Sequence, residues 1–144
     1  MSSSPRTTFD RIVHIETLLW NLCDAELRRQ VGFPMGRLEV LRSINEIEGC
    51  RVNDIAERLA ITIGAVSKLV DRLESSGLCQ RKPNPEDRRS SLLAVTDIGL
   101  RTLEQADNVL EPLLERWFTQ INLRSLNDGL IQIERNLDVN MADS

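Results

Sequence analysis

The fold is decided by one stretch of the chain, NDIAERLAITIGAVSKLVDRLESSGLCQRKPNPEDRRSSLLAVTDIGL, which runs from Asn53 to Leu100. With the residue just before it, this stretch carries two apolar faces at helical spacing: Val52, Ile55, Ala56 and Leu59, then Val66, Leu69, Val70 and Leu73. Thr62 is suited to cap the second helix, and Gly77 is suited to end it. Two short helices joined by so short a turn predict a helix-turn-helix.

The helical period ends after Gly77. The segments LCQRK (78–82) and SLLAV (91–95) partly alternate, and a Pro-Asn-Pro loop separates them, so we predict a β-hairpin with a long tip. Thr96 can cap another long helix, whose apolar stripe is formed by Leu103, Ala106, Leu110, Leu113, Trp117 and Ile121. Pro112 lies inside this helix and predicts a kink or a break near residues 110–111.

Three more helices flank this stretch. The first, at about residues 9–30, has a stripe formed by Ile12, Ile15, Leu19, Leu22 and Cys23, and GFP at 32–34 breaks it. The second runs from about Gly36 to Glu48 and ends at Gly49, and the last begins at Arg124 or Ser125 and ends at Leu137. The fold class predicted is mainly α with a small β-hairpin wing.

Charge is unevenly distributed along the 144 residues. Residues 62–91 carry six basic and four acidic side chains, a net of +2, whereas the other residues carry 12 basic and 18 acidic side chains, a net of −6. The whole chain therefore has a net charge of −4, which does not suit a general nucleic-acid coat. One basic segment on an acidic body favours a localised contact with a polyanion.

The second helix of the pair offers side chains suited to a DNA major groove. Its predicted contacts are Thr62, Gly64, Ala65, Ser67, Lys68 and Arg72. Small residues permit close approach, hydroxyls can bond phosphates or base edges, and a lysine can donate to guanine. The alternative is a solvated helix face that carries an ordinary i,i+4 basic pair.

The hairpin tip offers a second contact, at Arg88 and Arg89. Arginine is suited to a narrow minor groove, where negative potential is concentrated. Asp87 can accept a hydrogen bond from a guanidinium or the backbone and so hold the loop in one shape. The alternative is a charged loop that serves solubility alone.

Residues 53–100 closely resemble the winged helix-turn-helix core of the MarR (multiple antibiotic resistance regulator) family. LVDRLESSGL, the DRR of the wing tip and VTDIG at the next helix carry the resemblance. It implies a single domain, residues 1–144, with dimerisation helices at 8–31 and 97–140 around a winged helix-turn-helix lobe at 34–96. Such a homodimer binds a pseudo-palindromic operator in double-stranded DNA, usually as a repressor. Arg89 matches the arginine that enters the minor groove and Asp87 the aspartate that steadies it, which leaves Arg88 to phosphate or solvent.

Three residues depart from the family pattern. Arg51 stands where the helix before the turn usually has a serine or threonine cap, with Asp54 three residues later. Lys68 stands where many members have arginine, which removes bidentate guanine geometry. Ala60 occupies a turn position that is often glycine, and alanine is tolerable there if its φ stays negative.

The resemblance also implies release from the operator by a small aromatic, phenolic or other anionic ligand. His14, Trp20 and Cys23 on the first helix are candidates for the wall of such a pocket, and packing in a core or interface is their alternative role. The chain has no tyrosine, so the family's peroxide sensing, which pairs a cysteine with tyrosines, is put in doubt. A cysteine-based redox regulator stays open as an alternative through Cys23.

Other classes of protein find less support. Three dispersed cysteines favour neither disulfides nor a metal site, and a lone histidine without a phosphate loop or nucleophile elbow does not predict an enzyme or a cofactor. The sequence shows no secretory signal and no membrane span, so we expect a cytoplasmic protein. A winged-helix module that binds another protein is the main alternative to a DNA-binding regulator.

Overall fold

The computed structural model describes residues 3–142, and the side chains within that range up to residue 138. Eight elements follow one another: α1 Pro5–Gln30, α2 Met35–Glu46, α3 Val52–Leu59, α4 Ile63–Ser75, β1 Cys79–Pro83, β2 Ser91–Val95, α5 Asp97–Trp117 and α6 Leu123–Ala142. This confirms the predicted mainly α fold with one hairpin. No described helix is long and apolar enough to cross a membrane. The chain divides into two compact units, one up to Leu110 and one from Glu111 onward.

The core of the first unit lies between the helix-turn-helix and the two helices before it. Its largest fully buried side chains come from α1 to α4: Leu27, Leu38, Val40, Leu41, Ile55, Val66, Val70 and Leu73. Burial of so many aliphatic side chains, at about 1.5–3 kcal/mol each, dominates the free energy that holds α4 against the body. The orientation of α4 is therefore set by its apolar face.

Helix α1 begins one turn earlier than its apolar stripe predicts. The Ser4 hydroxyl accepts a hydrogen bond from the Thr7 amide at 3.2 Å, and Pro5 occupies the first helical position, where its missing N–H costs nothing. At the other end, Asp24 accepts a hydrogen bond from the Met35 amide at 2.8 Å. That bond, together with Arg28, holds the pKa of Asp24 below its usual value and joins α1 to the start of α2.

Helix α2 ends at Glu46, two residues before the predicted end, because the chain turns extended at Ile47. Gly49 lies beyond it with a φ of +61°, in the turn that leads to the buried Cys50. Glycine adopts this left-handed conformation without steric cost. Gly49 thus shapes the turn after the helix rather than ending the helix itself.

The turn between α3 and α4 does not meet the condition under which Ala60 would be free of strain. Its φ is +54°, in the left-handed region, and not negative. The Ile61 amide donates to the Ala56 carbonyl at 3.1 Å, the six-to-one bond that closes a helix with one left-handed residue. The hydrogen-bonded turn therefore requires this conformation although alanine disfavours it by about 1–2 kcal/mol.

Helix α5 runs through Pro112 without the predicted break, since a proline ring is compatible with a helical φ and removes only one donor. The predicted kink stays a prediction. The helix ends at Trp117, so the last residue of the predicted stripe, Ile121, lies outside it. Helix α6 begins at Leu123, where Asn122 accepts a hydrogen bond from the Ser125 amide at 3.0 Å, and it extends to Ala142 rather than to Leu137.

Candidate nucleic-acid interface

Helix α4 turns a polar face to solvent because Val66, Val70 and Leu73 bury its other face. Of the predicted contacts, Thr62, Gly64, Lys68 and Arg72 are exposed, whereas Ala65 and Ser67 are half-buried. Thr62 caps the helix as predicted, since its hydroxyl oxygen accepts a hydrogen bond from the Ala65 amide at 3.1 Å. The hydroxyl hydrogen is still available to a phosphate or base edge, because capping uses only a lone pair of the oxygen.

The hairpin beside α4 is a regular antiparallel pair, which runs from Cys79 opposite Val95 to Pro83 opposite Ser91. Its tip, residues 84–90, is closed by side chains. Asn84 accepts a hydrogen bond from the Glu86 amide at 3.0 Å and donates one to the Ser90 hydroxyl at 3.1 Å. Two prolines and these bonds restrict the conformations of the tip.

Asp87 contacts Arg89 within this tip. The Asp87 carboxylate accepts a hydrogen bond from the Arg89 amide at 3.0 Å and a longer one from the Arg89 Nε at 3.5 Å. The Arg89 side chain is nevertheless 94% exposed, so the ion pair itself contributes little stability. The backbone bond is the more important of the two, because it fixes the turn from which both Arg88 and Arg89 project.

The wing is attached to the body at its base. The Leu93 amide donates to the Cys50 carbonyl at 2.8 Å, and the Thr96 amide donates to the Leu78 carbonyl at 3.0 Å. At the start of α5, a Cβ added to Gly99 would lie 2.1 Å from the Leu78 carbonyl oxygen. The glycine of VTDIG therefore permits a close approach of α5 to the chain that enters the wing.

Arg51 caps α3 in place of the usual serine or threonine. An arginine cannot accept the amide bonds of a helix start, so only the reciprocal half of the capping arrangement forms. Asp54 accepts hydrogen bonds from the Arg51 amide at 2.9 Å and from its Nε at 3.2 Å. The bond from the Arg51 side chain, together with the amide bond, holds the pKa of Asp54 below its usual value, although local burial acts in the opposite direction.

A cleft of about 500 Å³ opens between the starts of α3 and α4 and the wing. It is lined by Arg51, Val52, Asn53, Ile63, Ser67, Arg81, Asp87, Arg89, Ser90 and Ser91. The structure thus brings three of the predicted contacts, Ser67, Asp87 and Arg89, to one concave surface. Thr62, Gly64, Ala65, Lys68, Arg72 and Arg88 lie outside its lining.

Sequence reasoning missed seven residues of this cleft, and three of them matter for its chemistry. Arg51 and Arg81 add two guanidinium groups to that of Arg89, and Ile63 places an exposed apolar side chain beside them. Ile63 lies seven residues before Val70, so helical spacing alone assigns it to the apolar stripe rather than to an exposed surface. The place of Arg51 depends on the bond between Cys50 and Leu93, which no local pattern reveals.

The predicted ligand residues do not converge on one face of α1. Cys23 is buried, whereas His14 and Trp20 are exposed. Nine residues separate His14 from Cys23, which at 100° per residue places them on opposite sides of the helix. A pocket wall formed by these three residues stays a prediction.

All three cysteines are free and buried. Burial, with a smaller contribution from Glu39, raises the pKa of the Cys23 thiol, and burial raises those of Cys50 and Cys79 to about 11. Thiols in this state contain little reactive thiolate at neutral pH. Among the described residues, no group of histidine, cysteine and acidic side chains could hold a metal ion.

Comparison with known proteins agrees with this geometry. Residues 33–91 match the family model described as MarR family. The chain is 27% identical over 115 residues to the HTH-type transcriptional repressor IacR of Pseudomonas putida. The aligned region covers 78% of this chain and 69% of that protein.

Two solved structures share the fold. The transcriptional regulator BldR from Sulfolobus solfataricus matches with a TM-score of 0.86 and 24% identity, over 94% of this chain and 99% of that one. A cysteine-to-serine mutant of MarR from Escherichia coli, complexed with operator DNA, matches with a TM-score of 0.74 and 24% identity, over 88% and 93%. Residues 33–91 are therefore similar to the MarR family, and the chain shares the fold of these solved transcriptional regulators.

Proposed function

We propose that this protein is a homodimeric repressor that binds a pseudo-palindromic operator, with α4 in the major groove and the wing tip in the adjacent minor groove. The observation that carries the proposal is the cleft that Ser67 of α4 and Arg89 of the wing line together. A helix and an arginine-bearing loop held side by side match the two grooves of one duplex face.

The start of α4 supports close contact with base edges. Gly64 is exposed and its missing side chain leaves open space, so a base pair can approach the backbone. Lys68 lies one turn further on the same face, where its ammonium can donate to guanine O6 or N7. Arg72, another turn along, is placed for the phosphate backbone.

The exposed apolar surface of α1 supports the dimer. Ile12, Ile15, Leu18 and Leu22 are each at least 39% exposed, although this surface would be costly to leave in water. In the second unit, α6 exposes a further set: Leu126, Leu130, Ile131, Ile133 and Leu137. A second copy of the chain is the partner we propose for each of these faces, which would present two α4 helices to half-sites about 34–36 Å apart.

An effector that releases the operator is the finer part of the proposal. We propose a small aromatic or phenolic anion, for which His14 and Trp20 are exposed candidates on α1. The cysteine-based alternative finds less support, because the burial that raises the pKa of Cys23 also hides it from oxidants. The protein-interaction alternative lacks a reason for Ser67 of α4 and Arg89 of the wing to line one cleft.

The test is binding to the DNA that flanks the protein's own gene. We expect a protected region with two half-sites, and an affinity that falls with salt with a log-log slope of about −0.9 for each phosphate neutralised. Candidate aromatic acids should reduce the protection. Folded protein that protects no part of this DNA at low salt would contradict the repressor and favour the protein-interaction module.

A further inference from the structure

Arg81 occupies a position on β1 that faces the protein rather than solvent. The register pairs it with the buried Leu93, and the buried Cys79 lies two residues before it. Since side chains alternate along a strand, Gln80 and Lys82 point to the opposite side, and both are exposed. A basic residue on the inner face of a hairpin needs a partner there.

Two carboxylates of α4 supply that partner. The Arg81 Nη1 donates to Glu74 Oε1 at 2.8 Å, and its Nη2 donates to Asp71 Oδ1 at 2.7 Å. The Arg81 amide also donates to Glu74 Oε2 at 3.0 Å, so Glu74 holds both the side chain and the backbone of the strand. We name this set of three bonds the α4–wing clamp.

The clamp lies between the two parts that contact DNA in the proposed complex. Ser67, Asp71 and Glu74 follow one another along α4 at spacings of four and three residues, which places them on one side of the helix. That side faces the wing, since Ser67 and Arg81 line the same cleft as Arg89. From Arg81, strand β1 leads directly into the tip.

We propose that Arg81 is a positioning residue, which fixes the wing relative to α4 so that Arg89 meets the minor groove while α4 occupies the major groove. This inference rests on the proposed function. The clamp also makes two acids easier to tolerate on a helix placed against phosphates, because Arg81 contacts both carboxylates and offsets one of their two negative charges. A wing held in advance loses less freedom on binding than one that must be ordered by the DNA.

The first test compares Arg81→Gln with Lys82→Gln, which removes the same charge from the outer face of the same strand. For Arg81→Gln we expect operator affinity to fall about tenfold, with loss of hydroxyl-radical protection in the minor groove and retained protection of guanine N7 from methylation. For Lys82→Gln we expect an unchanged pattern of protection. Retained minor-groove protection in Arg81→Gln would overturn the proposal.

A double-mutant cycle with Arg89→Ala separates positioning from direct contact. If Arg81 acts through Arg89, the double variant loses less operator affinity than the product of the two single fold-losses. The reason is that the contact of Arg89 with DNA is already lost in Arg81→Gln. Losses that multiply, together with a salt slope shallower by about 0.9, would instead identify Arg81 as a phosphate contact and overturn the proposal.

Glu74→Gln tests the clamp by the direction in which operator affinity changes. This test serves equally if Arg81→Gln folds poorly. Removal of a negative charge beside DNA should strengthen binding if electrostatics alone matters. Loss of the clamp should weaken it, and we expect the weaker binding. Tighter binding of Glu74→Gln would contradict the clamp.

One readout needs no DNA, so the inference and the proposed function can fail separately. In the free wild-type protein, NMR order parameters of residues 84–90 should be higher than in Arg81→Gln and equal to those in Lys82→Gln. Unchanged order parameters in Arg81→Gln would overturn the clamp whether or not the protein binds its own promoter. Wild-type protein that fails to bind DNA would overturn the repressor alone.

Discussion

At the scale of single residues, Ala60 is where the side chain suits the backbone least. Its φ of +54° is left-handed, which glycine adopts without steric cost. We expect Ala60→Gly to raise the free energy of unfolding by about 0.5–1 kcal/mol, since the relieved strain exceeds the entropy lost by a more flexible unfolded chain. Urea denaturation followed by circular dichroism measures the change.

Ala25 provides the matched control for this prediction. It is exposed within α1, where the same substitution to glycine should destabilise the protein by about 1 kcal/mol. Opposite signs at the two positions would attribute the effect to the turn. If Ala60→Gly destabilises as much as Ala25→Gly, the left-handed alanine is not strained.

Arg89 and Arg88 are adjacent on the wing tip but differ in how they are held, because Asp87 bonds the amide and Nε of Arg89. We expect Arg89→Ala to weaken operator binding at least tenfold, about 1.4 kcal/mol, with the melting temperature nearly unchanged. Arg88→Ala removes the same charge, and we expect a smaller loss with a salt slope shallower by about 0.9. Fluorescence anisotropy at several salt concentrations separates these outcomes. Equal losses would remove the distinction between the two arginines.

Local and tertiary contacts explain which parts of the site could be predicted. The contact between Asp87 and Arg89 spans two residues, so the sequence alone suggests it. Arg81 faces α4 only because the register of the hairpin turns it inward, and its two partners are seven and ten residues away. The sign of the φ of Ala60 could not be predicted from its residue type, because the hydrogen-bonded turn outweighs the preference of alanine.

At the scale of elements, the junction of α5 with the wing depends on one glycine. A Cβ at Gly99 would lie 2.1 Å from the Leu78 carbonyl oxygen and 2.6 Å from a methyl group of Val95. A backbone oxygen cannot move away without breaking its hydrogen bond from the Thr96 amide. We therefore expect Gly99→Ala to lower the free energy of unfolding by about 1–3 kcal/mol, as measured by the urea midpoint.

Gly129, within α6, is the control for Gly99. An added Cβ there meets nothing within 4 Å, so Gly129→Ala should stabilise the helix by up to about 1 kcal/mol. The contrast tests close packing rather than helix propensity, because both glycines are helical. Wild-type stability in Gly99→Ala would contradict the close approach of α5 to Leu78.

Helix ends with a local chemical signal could be predicted, and those set by the rest of the fold could not. Thr62 and Thr96 were predicted as caps, and each accepts the expected amide bond. Ser4 and Pro5 give an equally local signal, but the prediction followed the apolar stripe and began α1 too late. The end of α2 at Glu46 carries no such signal, since Gly49 lies three residues beyond it.

At the scale of the whole molecule, charge and apolar surface suggest two different partners. The basic segment at residues 62–91 lies on an otherwise acidic chain, which confines a polyanion to the lobe that contains α4 and the wing. The exposed aliphatic side chains of α1 lie instead on a helix from outside that segment. One surface suits DNA, and the other suits a second copy of the chain.

Charged substitutions on α1 should therefore separate the two copies. Ile15 and Leu22 lie seven residues apart on one face and are 45% and 50% exposed. Wild-type protein should sediment with twice the 16.4 kDa mass of one chain, and Ile15→Glu/Leu22→Glu should sediment as one chain, because an unpaired carboxylate in an apolar interface is costly. The double variant should also bind the operator more weakly, since its separate chains bind the two half-sites independently.

Asn21→Glu adds a charge to an exposed polar position of the same helix, about 100° from Leu22, and should leave the dimer intact. Sedimentation of the wild type as a single chain at micromolar concentration would contradict the dimer. A dimer that survives Ile15→Glu/Leu22→Glu would place the interface elsewhere than on α1. If the double variant is monomeric but binds the operator as tightly as the wild type, one lobe suffices, and the pseudo-palindromic site loses its structural basis.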